Sequence, residues 1–320
     1  MPADHLTTTP LAASVLTVLA GTPLQTVAAT AAIDPADLAD AVDTYHRAGR
    51  AALAEHADGH WYQVHVEFPD WNTAETAAVT SASLGPRLDH LAHEGVCGGW
   101  WFLRKHPCWR LRFAHAQVDA VNHVLDDLTT TGELTRWRPS LYEPETAAFG
   151  GTSGIRIVHD LFCADSHGVL TYLRQPQPAL GRRELSLLLL GGLLQAAGLD
   201  WFERGDVFAR VAQMRPIDHI TDSRLDALTA NVRGLLTVAP TTDNSLFEAD
   251  NAVSFAAPWH RAYTEAGRAL AAAAAAGTLH RGLRAVTSHI VIFHWNRLGL
   301  PAHTQGVLAR AALEAFLPRS

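Results

Sequence analysis

The sequence predicts an α+β protein with a ferredoxin-like antiparallel sheet region, a mostly helical region after it, and a small N-terminal helical unit. Three observations lead to this prediction. Thr22-Pro23 and Asp34-Pro35 each place a capping residue before a proline, as at the start of a helix. Residues 62–68 alternate between apolar and polar side chains, as a half-buried strand does. The chain after Gly150-Gly151 has helical spacing almost throughout.

The N-terminal unit, residues 8–55, is predicted as a cluster of short helices that resembles a helix-turn-helix. Apart from histidine, its only basic residues are Arg47 and Arg50, too few to hold a nucleic-acid backbone. We therefore interpret it as a packing appendage or a peptide-docking module. The domain boundary is placed so that residues 1–57 form this appendage and residues 58–320 form the main domain.

The main domain is predicted to begin in the order strand, helix, strand, strand, helix, strand. The strands fall at 62–68, 99–105, 108–115 and 137–142, and helical spacing covers 73–94 and 116–130. The second and third strands form a hairpin around Pro107. This order is that of a ferredoxin-like unit, with the sheet on one side and the helices on the other.

The remainder of the chain is predicted to be helical. The helices fall at 153–163, 182–197, 201–213, 221–235, 257–276, 279–298 and 304–316. Leu185–Leu199, the most apolar stretch, is shorter than the about 20 residues of a membrane-spanning helix, so we interpret it as a buried helix and expect no membrane association. Asp165 and Ser166 are interpreted as helix caps rather than as parts of a hydrolase triad with His167, because no nucleophile elbow accompanies them.

Composition is that of an ordinary globular protein, with 48% hydrophobic and 18% charged residues. A net charge of −7 provides no overall basic field, so direct nucleic-acid binding is not expected. The three cysteines lack CxxC spacing, and His289, His294 and His303 are not spaced as metal ligands, so no metal or cofactor is predicted. The N-terminus lacks the basic start of a signal peptide, which favours a cytoplasmic protein.

The segment from Arg104 to Arg112 carries the first candidate site. Because strand side chains alternate, Arg110 and Arg112 share one face, where two guanidinium groups suit a carboxylate or phosphate. A solvated outer strand face explains the spacing equally well. The aromatic setting, which includes Trp101, favours a walled-off binding site.

Two further segments supply candidate residues for the same site. Glu145 follows the last predicted strand, where its carboxylate either faces the site or pairs with the arginines. His294, Asn296 and Arg297 lie near the end of a predicted helix, and a histidine there exchanges protons near neutral pH. A lone helical histidine is more often structural than catalytic, so both interpretations stay open at this stage.

Six segments resemble, in order along the chain, the C-terminal elimination domain of lantibiotic dehydratases and the stand-alone thiopeptide-type bacteriocin biosynthesis proteins. They are Trp61–Val66, Trp100–Phe113, Tyr142–Gly151, His159–Ser166 (HDLFCADS), Ala197–Val211 (AGLDWFERGDVFARV) and Phe293–Gly299 (FHWNRLG). Each segment is short, but their combination is specific. The resemblance covers about residues 60–316.

The resemblance implies an activity, a partner and site residues. In that family a partner protein transfers glutamate from glutamyl-tRNA to Ser or Thr of a leader-bearing precursor peptide, and the elimination domain expels glutamate to leave dehydroalanine or dehydrobutyrine. The implied catalytic residues are Arg110, Arg112 and His294, with Arg104 at the preceding motif. These suit β-elimination, because a base must take the α proton and cations must stabilise the enolate and the departing carboxylate.

Two departures from the family pattern keep other functions open. Dehydratases commonly carry an arginine before the aromatic-Gly-Gly turn, where this chain has Ala148, and a histidine where it has Trp109. Stand-alone members of the family instead fuse two dehydroalanines into the pyridine core of thiopeptides with loss of the leader, which needs less glutamate binding. A non-catalytic leader-peptide adaptor for a partner dehydratase is the third hypothesis.

Overall fold

The computed structural model describes residues 10–58, 61–80, 83–217, 220–237, 245–248, 251 and 253–317, with backbone only for 51–58, 237 and 245. The chain forms two compact units, Met1–Gly59 and His60–Ser320. Their assignment as an appendage and a main domain stays a prediction. None of the described helices combines the length and the apolar character that a membrane span requires.

The smaller unit contains three helices, α1 (Pro10–Leu19), α2 (Leu24–Ala31) and α3 (Pro35–Asp58). The predicted start at Asp34-Pro35 is confirmed, since the Asp34 carboxylate accepts a hydrogen bond from the Ala36 N–H at 2.8 Å. The predicted cap at Thr22 is wrong, because Pro23 occupies the cap position and no side chain caps α2. The unit has its own apolar core, formed by Val15, Val27, Ala28, Leu38 and Val42.

The larger unit begins with a four-stranded antiparallel sheet in the order β2-β3-β1-β4. Its strands are β1 (Trp61–Glu67), β2 (Gly99–Lys105), β3 (Cys108–Ala114) and β4 (Arg136–Ser140). The connections hold α4 (Ala74–Val79), α5 (Leu84–His93) and α6 (Val118–Thr130). The α+β class and the ferredoxin-like strand order are confirmed. The predicted helical stretch 73–94 is two helices rather than one.

Seven helices follow in the described part of the chain. They are α7 (Thr152–Leu173), α8 (Arg182–Ala196), α9 (Trp201–Met214), α10 (Asp222–Thr237), α11 (Ala257–Ala275), α12 (Leu283–Arg297) and α13 (Ala302–Phe316). The apolar stretch at α8 is buried, as predicted. The prediction that a helix ends near 163 with Asp165 or Ser166 as a cap is wrong, because both lie inside α7, where buried partners satisfy their side chains.

Helix α6 of the ferredoxin-like unit contacts one face of the sheet, as predicted for that unit, and the later helix α7 contacts the other face. On one face, the Tyr62 hydroxyl donates to Asn122 of α6 at 2.7 Å. On the other, Trp101 of β2 packs against Phe162 of α7, with ring centroids 4.9 Å apart. Strand β4 forms the opposite edge from β2, and its described residues pair only with β1. The half of the second face nearest β4 carries the polar residues described next.

Candidate functional site

Strand register brings five side chains together on one face of the sheet. Arg112 lies directly opposite Gln63 of β1 and Trp101 of β2, and Arg110 lies opposite His65 of β1. Arg110 and Arg112 therefore share a face, as the alternation along β3 predicts. Their nearest neighbours come from strands whose register the single sequence does not reveal.

The guanidinium group of Arg112 lies in this face and is only 2% exposed. Its Nε donates to the Gln63 Oε1 at 2.8 Å, and the Gln63 amide in turn donates to Ser140 and to the Leu141 carbonyl. Its Cζ lies 4.0 Å from the ring centroid of Trp101 and 4.7 Å from that of Tyr142. Two aromatic faces thus hold the cation in place.

A tyrosine–histidine pair borders the same guanidinium group. The Tyr142 hydroxyl and the His159 Nε2 are 2.8 Å apart, and His159 is 5% exposed. Trp61 packs on His159 with ring centroids 4.6 Å apart. We call the set of Trp61, Gln63, Trp101, Arg112, Tyr142 and His159 the Arg112 site.

Burial and the Arg112 charge shift the proton affinities within this site. Burial lowers the pKa of His159 to about 4, with a further contribution from the Arg112 charge, so the imidazole is neutral at pH 7. Burial raises the pKa of Tyr142, which keeps the phenol protonated. Burial also lowers the pKa of Arg112, to about 10, and the group stays cationic at neutral pH. The pair is therefore a neutral imidazole and a neutral phenol beside a fixed positive charge.

Additional positive charge surrounds the Arg112 site without close carboxylate partners. Within the described residues, Arg110, Arg112 and Arg138 form no ion pair within 4.0 Å, and Nη1 of Arg112 has no hydrogen-bond partner. Glu145 is exposed, and its charge acts on Arg112 only at longer range. The predicted pairing of Glu145 with the arginines is not formed. A buried cation without a counter-ion favours an anionic ligand.

The predicted residues His294 and Arg297 lie elsewhere, in a fully buried cluster around Asp165. The Asp165 carboxylate pairs with Arg297, lies 2.8 Å from the His294 Nδ1, and accepts hydrogen bonds from Trp259 at 2.8 Å and Tyr263 at 2.9 Å. The His294 and Arg297 charges lower the pKa of Asp165 despite its burial. His294 is 0% exposed, so in this geometry it contacts no groove.

This Asp165 cluster supports the Arg112 site through the edge of β2. The Phe102 N–H donates to the Ser166 Oγ at 3.1 Å, and the Phe102 carbonyl accepts from the Arg297 Nε at 3.0 Å. The N–H and the carbonyl of Phe102, at the outer edge of β2, are thus hydrogen-bonded by side chains of α7 and α12. Since Trp101 precedes Phe102, the clamp fixes the aromatic surface on which Arg112 rests.

Two other predicted residues lie outside the Arg112 site: Arg104 on the opposite face of the sheet and Asn296 in α12. Arg104 stacks on Trp109, with its Cζ 4.7 Å from the ring centroid, and pairs with Glu75 of α4. Both Arg104 and Asn296 line a separate cleft of about 510 Å³. The predicted residues are therefore distributed over three places: the Arg112 site and its surroundings, the Asp165 cluster and this cleft.

Sequence reasoning missed Gln63, Tyr142 and His159 as site residues. Gln63 is one of the polar residues in the alternating stretch 62–68, where the pattern predicts the side of the strand that faces away from the core, and Tyr142 ends a predicted strand that in the structure ends at Ser140. His159 opens the motif HDLFCADS, and that motif was the available signal. In the described part of the chain, no three His, Cys, Asp or Glu side chains are grouped as a metal site requires.

The fold and the site together define a class: an α+β protein whose sheet carries a tyrosine–histidine pair beside a buried cation without an ion-pair partner among the described residues. The chain belongs to the family described as lantibiotic biosynthesis dehydratase C-term, which matches residues 61–316. None of the curated proteins gives a significant sequence match.

Solved structures share this fold at low sequence identity. The tRNA-dependent lantibiotic dehydratase MibB from Microbispora sp. 107891 has a TM-score of 0.62 and 18% identity, over 80% of this chain and 28% of MibB. TsrL has a TM-score of 0.53 and 17% identity, over 80% and 94% of the two chains. TbtD, the pyridine synthase from thiomuracin biosynthesis, has a TM-score of 0.55 and 14% identity, over 80% and 97%. This chain thus corresponds to under a third of MibB and to nearly all of the other two.

Proposed function

We propose that this protein acts in the biosynthesis of a ribosomally made, post-translationally modified peptide, as a lyase that eliminates glutamate from glutamylated Ser or Thr. Family membership supports the class of pathway. The substrate is then a leader-bearing precursor peptide, and a separate protein supplies the glutamylation.

One observation carries this proposal: the buried Arg112 guanidinium has an unpartnered Nη1 beside the Tyr142–His159 pair. A glutamyl ester brings carboxylate charge, and its elimination passes through an enolate, so a fixed cation stabilises both the bound substrate and the transition state. Arg110 and Arg138 lie on the same face. They suit the second carboxylate of glutamate, which forms when the Cβ–O bond of the ester breaks.

The elimination balances with groups of this site. The Cα–H bond of the modified residue breaks and its electron pair forms the Cα=Cβ double bond, while the Cβ–O bond breaks and glutamate leaves as a carboxylate. Tyr142 and His159 are the proposed proton acceptors: the phenol oxygen takes the α proton as its own proton passes to the His159 Nε2. Because the Arg112 charge lowers the pKa of His159, binding of a carboxylate at Arg112 makes the imidazole a stronger base.

In this proposal His294 and Arg297 are positioning residues rather than catalytic ones. Their contacts run to Asp165 and to the backbone of β2, and Trp101 is the part of the Arg112 site that they hold. Glu145 lies outside the reacting groups and limits the positive potential near Arg112.

The test is glutamate release from a glutamylated precursor peptide, followed by mass spectrometry of the peptide. The wild-type protein should release glutamate and leave dehydroamino acids. Arg112→Gln and His159→Gln should each lower the rate at least about 100-fold, since each removes a group used in the transition state. Arg268→Gln, on the exposed surface of α11, is the matched control. Unchanged rates in both site variants would refute the assignment of the Arg112 site.

Pyridine formation is the second candidate, favoured by the match over 97% of TbtD and by the neutral side chain of Ala148. It predicts that a peptide already carrying dehydroalanines loses its leader and gains a pyridine when the protein is added. If neither peptide gives its product, and a partner dehydratase still depends on this chain, the adaptor hypothesis is favoured.

A further inference from the structure

Two neighbouring clefts lie outside the Arg112 site. The Trp71 cleft, about 510 Å³, is lined by Trp71, Asn72, Glu75, Arg104, Trp109, Asn296, Gly299, Leu300 and Pro301. The Arg224 cleft, about 230 Å³, is lined by Arg183, Ile220, Thr221, Arg224, Leu228, His303, Thr304, Val307 and Leu308. Pro301 lines the first cleft and His303 lines the second, so both clefts border the segment that starts α13.

The Arg224 cleft concentrates positive charge. Arg183, Arg224 and His303 stand in the first turns of α8, α10 and α13, where the helix dipoles already favour anions. A cation in the first helical turn is unfavourable by itself. Within the described residues, neither Arg183 nor Arg224 has an ion pair or a hydrogen bond to offset this. These two arginines, at helix N-termini that border one cleft, favour an acidic ligand.

The Trp71 cleft offers aromatic walls and amide groups. Trp71 and Trp109 supply aromatic surface, and Asn72 and Asn296 supply side-chain amides of the kind that bond peptide groups. Arg104 is 8% exposed at its side chain, and its Nε and Nη2 have no hydrogen-bond partner among the described residues. Its remaining nitrogen pairs with Glu75, which Arg182 also holds at 2.5 Å and 2.8 Å.

The Glu75 ion pair joins the two clefts. Arg182 contacts Glu75 in the Trp71 cleft and also donates to the Leu298 carbonyl at 3.1 Å, while its chain neighbour Arg183 lines the Arg224 cleft. The group formed by Arg104, Glu75 and Arg182 carries a net positive charge. A ligand that extends along both clefts would contact aromatic and amide groups in the Trp71 cleft and the arginines without ion pairs in the Arg224 cleft.

We propose that the Trp71 and Arg224 clefts together bind an extended acidic segment of a peptide, with an apolar or aromatic side chain in the first cleft and carboxylates in the second. This rests on the proposed function only in taking that peptide to be part of the precursor. In the first cleft, Arg104 and Trp109 lie on the opposite face of the sheet from Arg112, and the second cleft is lined by no strand residue, so the proposed docking site is separate from the reacting groups.

The first test is fluorescence anisotropy with a fluorescein-labelled peptide in which Glu and Leu alternate, at low ionic strength because salt screens exposed charges. The matched peptide carries Gln in place of Glu. We expect the acidic peptide to bind at least about 10-fold more tightly than the neutral one. The double variant Arg183→Gln/Arg224→Gln should lose that difference, and Trp71→Ala should weaken both peptides. Arg268→Gln should bind as the wild type does.

Two results would overturn the proposal. One is equal affinity of the double variant and the wild type, in proteins whose circular dichroism spectra and melting temperatures agree. The other is displacement of the acidic peptide by free glutamate or inorganic phosphate at similar affinity, since that identifies a small-anion site. The single variant Arg224→Gln keeps the test informative if the double variant does not fold.

The second test separates docking from chemistry. With a glutamylated precursor, groove variants should raise KM for the peptide about 10-fold with little change in kcat, whereas Arg112→Gln should lower kcat and leave the anisotropy result intact. If no variant and no wild-type sample releases glutamate, the proposed function fails while the binding result still decides the groove. If the groove variants lower kcat and leave KM unchanged, the docking role is wrong.

Discussion

Arg112 combines three conditions that seldom occur together: nearly complete burial, contact with two aromatic rings, and a charge without a paired carboxylate. Burying an unpaired charge costs free energy of folding, and the cation–π contacts offset only part of that cost. In the proposed function a bound carboxylate would complete the pairing, so that part of the free energy a hydrophobic side chain would contribute to folding would contribute to binding instead.

His159 predicts a pH dependence of stability at the same scale. The pKa falls from 6.5 to about 4 on folding, so between these values the unfolded chain binds more protons than the folded one. The free energy of unfolding should therefore decrease as the pH drops from 6.5 towards 4, by roughly 3 kcal/mol from this residue. Urea unfolding at several pH values measures it.

The variant His159→Gln isolates this contribution, because glutamine does not titrate. Its stability should change less than that of the wild type between pH 6.5 and pH 4. The exposed His93→Gln serves as the comparison variant and should follow the wild type. Identical pH profiles for His159→Gln and the wild type would show that the imidazole is not buried in a neutral form.

Residue-scale prediction from the sequence succeeded where the determinants are local. The common face of Arg110 and Arg112 follows from alternation within one strand. The role of His294 could not be predicted, because its partner Asp165 comes from a distant helix. His159 likewise gains its neighbours Tyr142 and Trp61 only through tertiary packing.

At the scale of elements, the two edge strands are protected in different ways. Side chains of α7 and α12 close the edge of β2 at Phe102. In β4, Pro139 faces Val64 of β1 and has no N–H to donate, so its nitrogen lies at the open edge. A proline there removes a donor to which another strand would bind.

The β2 clamp leads to a stability prediction. Ser166→Ala leaves the buried Phe102 N–H without its hydrogen-bond acceptor, which should cost about 1–3 kcal/mol of unfolding free energy. Ser288→Ala is a matched control, since Ser288 is equally buried but donates only to the Ala285 carbonyl of its own helix. Urea denaturation should show a clearly larger loss for Ser166→Ala, and equal losses would contradict the clamp.

Element boundaries show where the sequence is informative. Strands β2 and β3 were predicted to within a residue, because their aromatic residues and the turn at Pro107 mark them. The helix α7 was predicted to end ten residues early, at 163 rather than Leu173, because Asp165 and Ser166 favour caps in isolation. Buried partners from α11 and α12 outweigh that local preference.

For the whole molecule, the separate cores of the two units predict separate stabilities. The smaller unit has few fully buried apolar side chains, and small cores are marginally stable. Leu38→Ala, at a residue that is 0% exposed, should cost about 2–5 kcal/mol and unfold this unit. Hydrogen exchange should then show lost protection in α1, α2 and α3 with α8 unchanged. Loss of protection in α8 as well would show that the two cores are coupled.

The assembly of the helical region was the least predictable part of the molecule. The sequence predicted its helices from local periodicity, but not which of them meet at the sheet. That α7 and α12 reach β2 depends on the pairing of Asp165 with Arg297, between residues distant in sequence. The family resemblance identified the motifs that hold these residues, but not the contacts that they make with each other and with β2.

Arg104 and Arg112 lie on opposite faces of the sheet, and this sets a spacing rule for any peptide that uses both the groove and the Arg112 site. A chain that passed around the β2–β3 turn would follow a path of roughly 25 Å, given the rise of a strand and the depth of a sheet. That path takes about seven or eight extended residues. Side chains closer than this to the docked segment cannot reach the reacting groups, whereas those just beyond it arrive at high effective concentration. The length of peptide between the docked segment and the Arg112 site would then determine which Ser or Thr is modified.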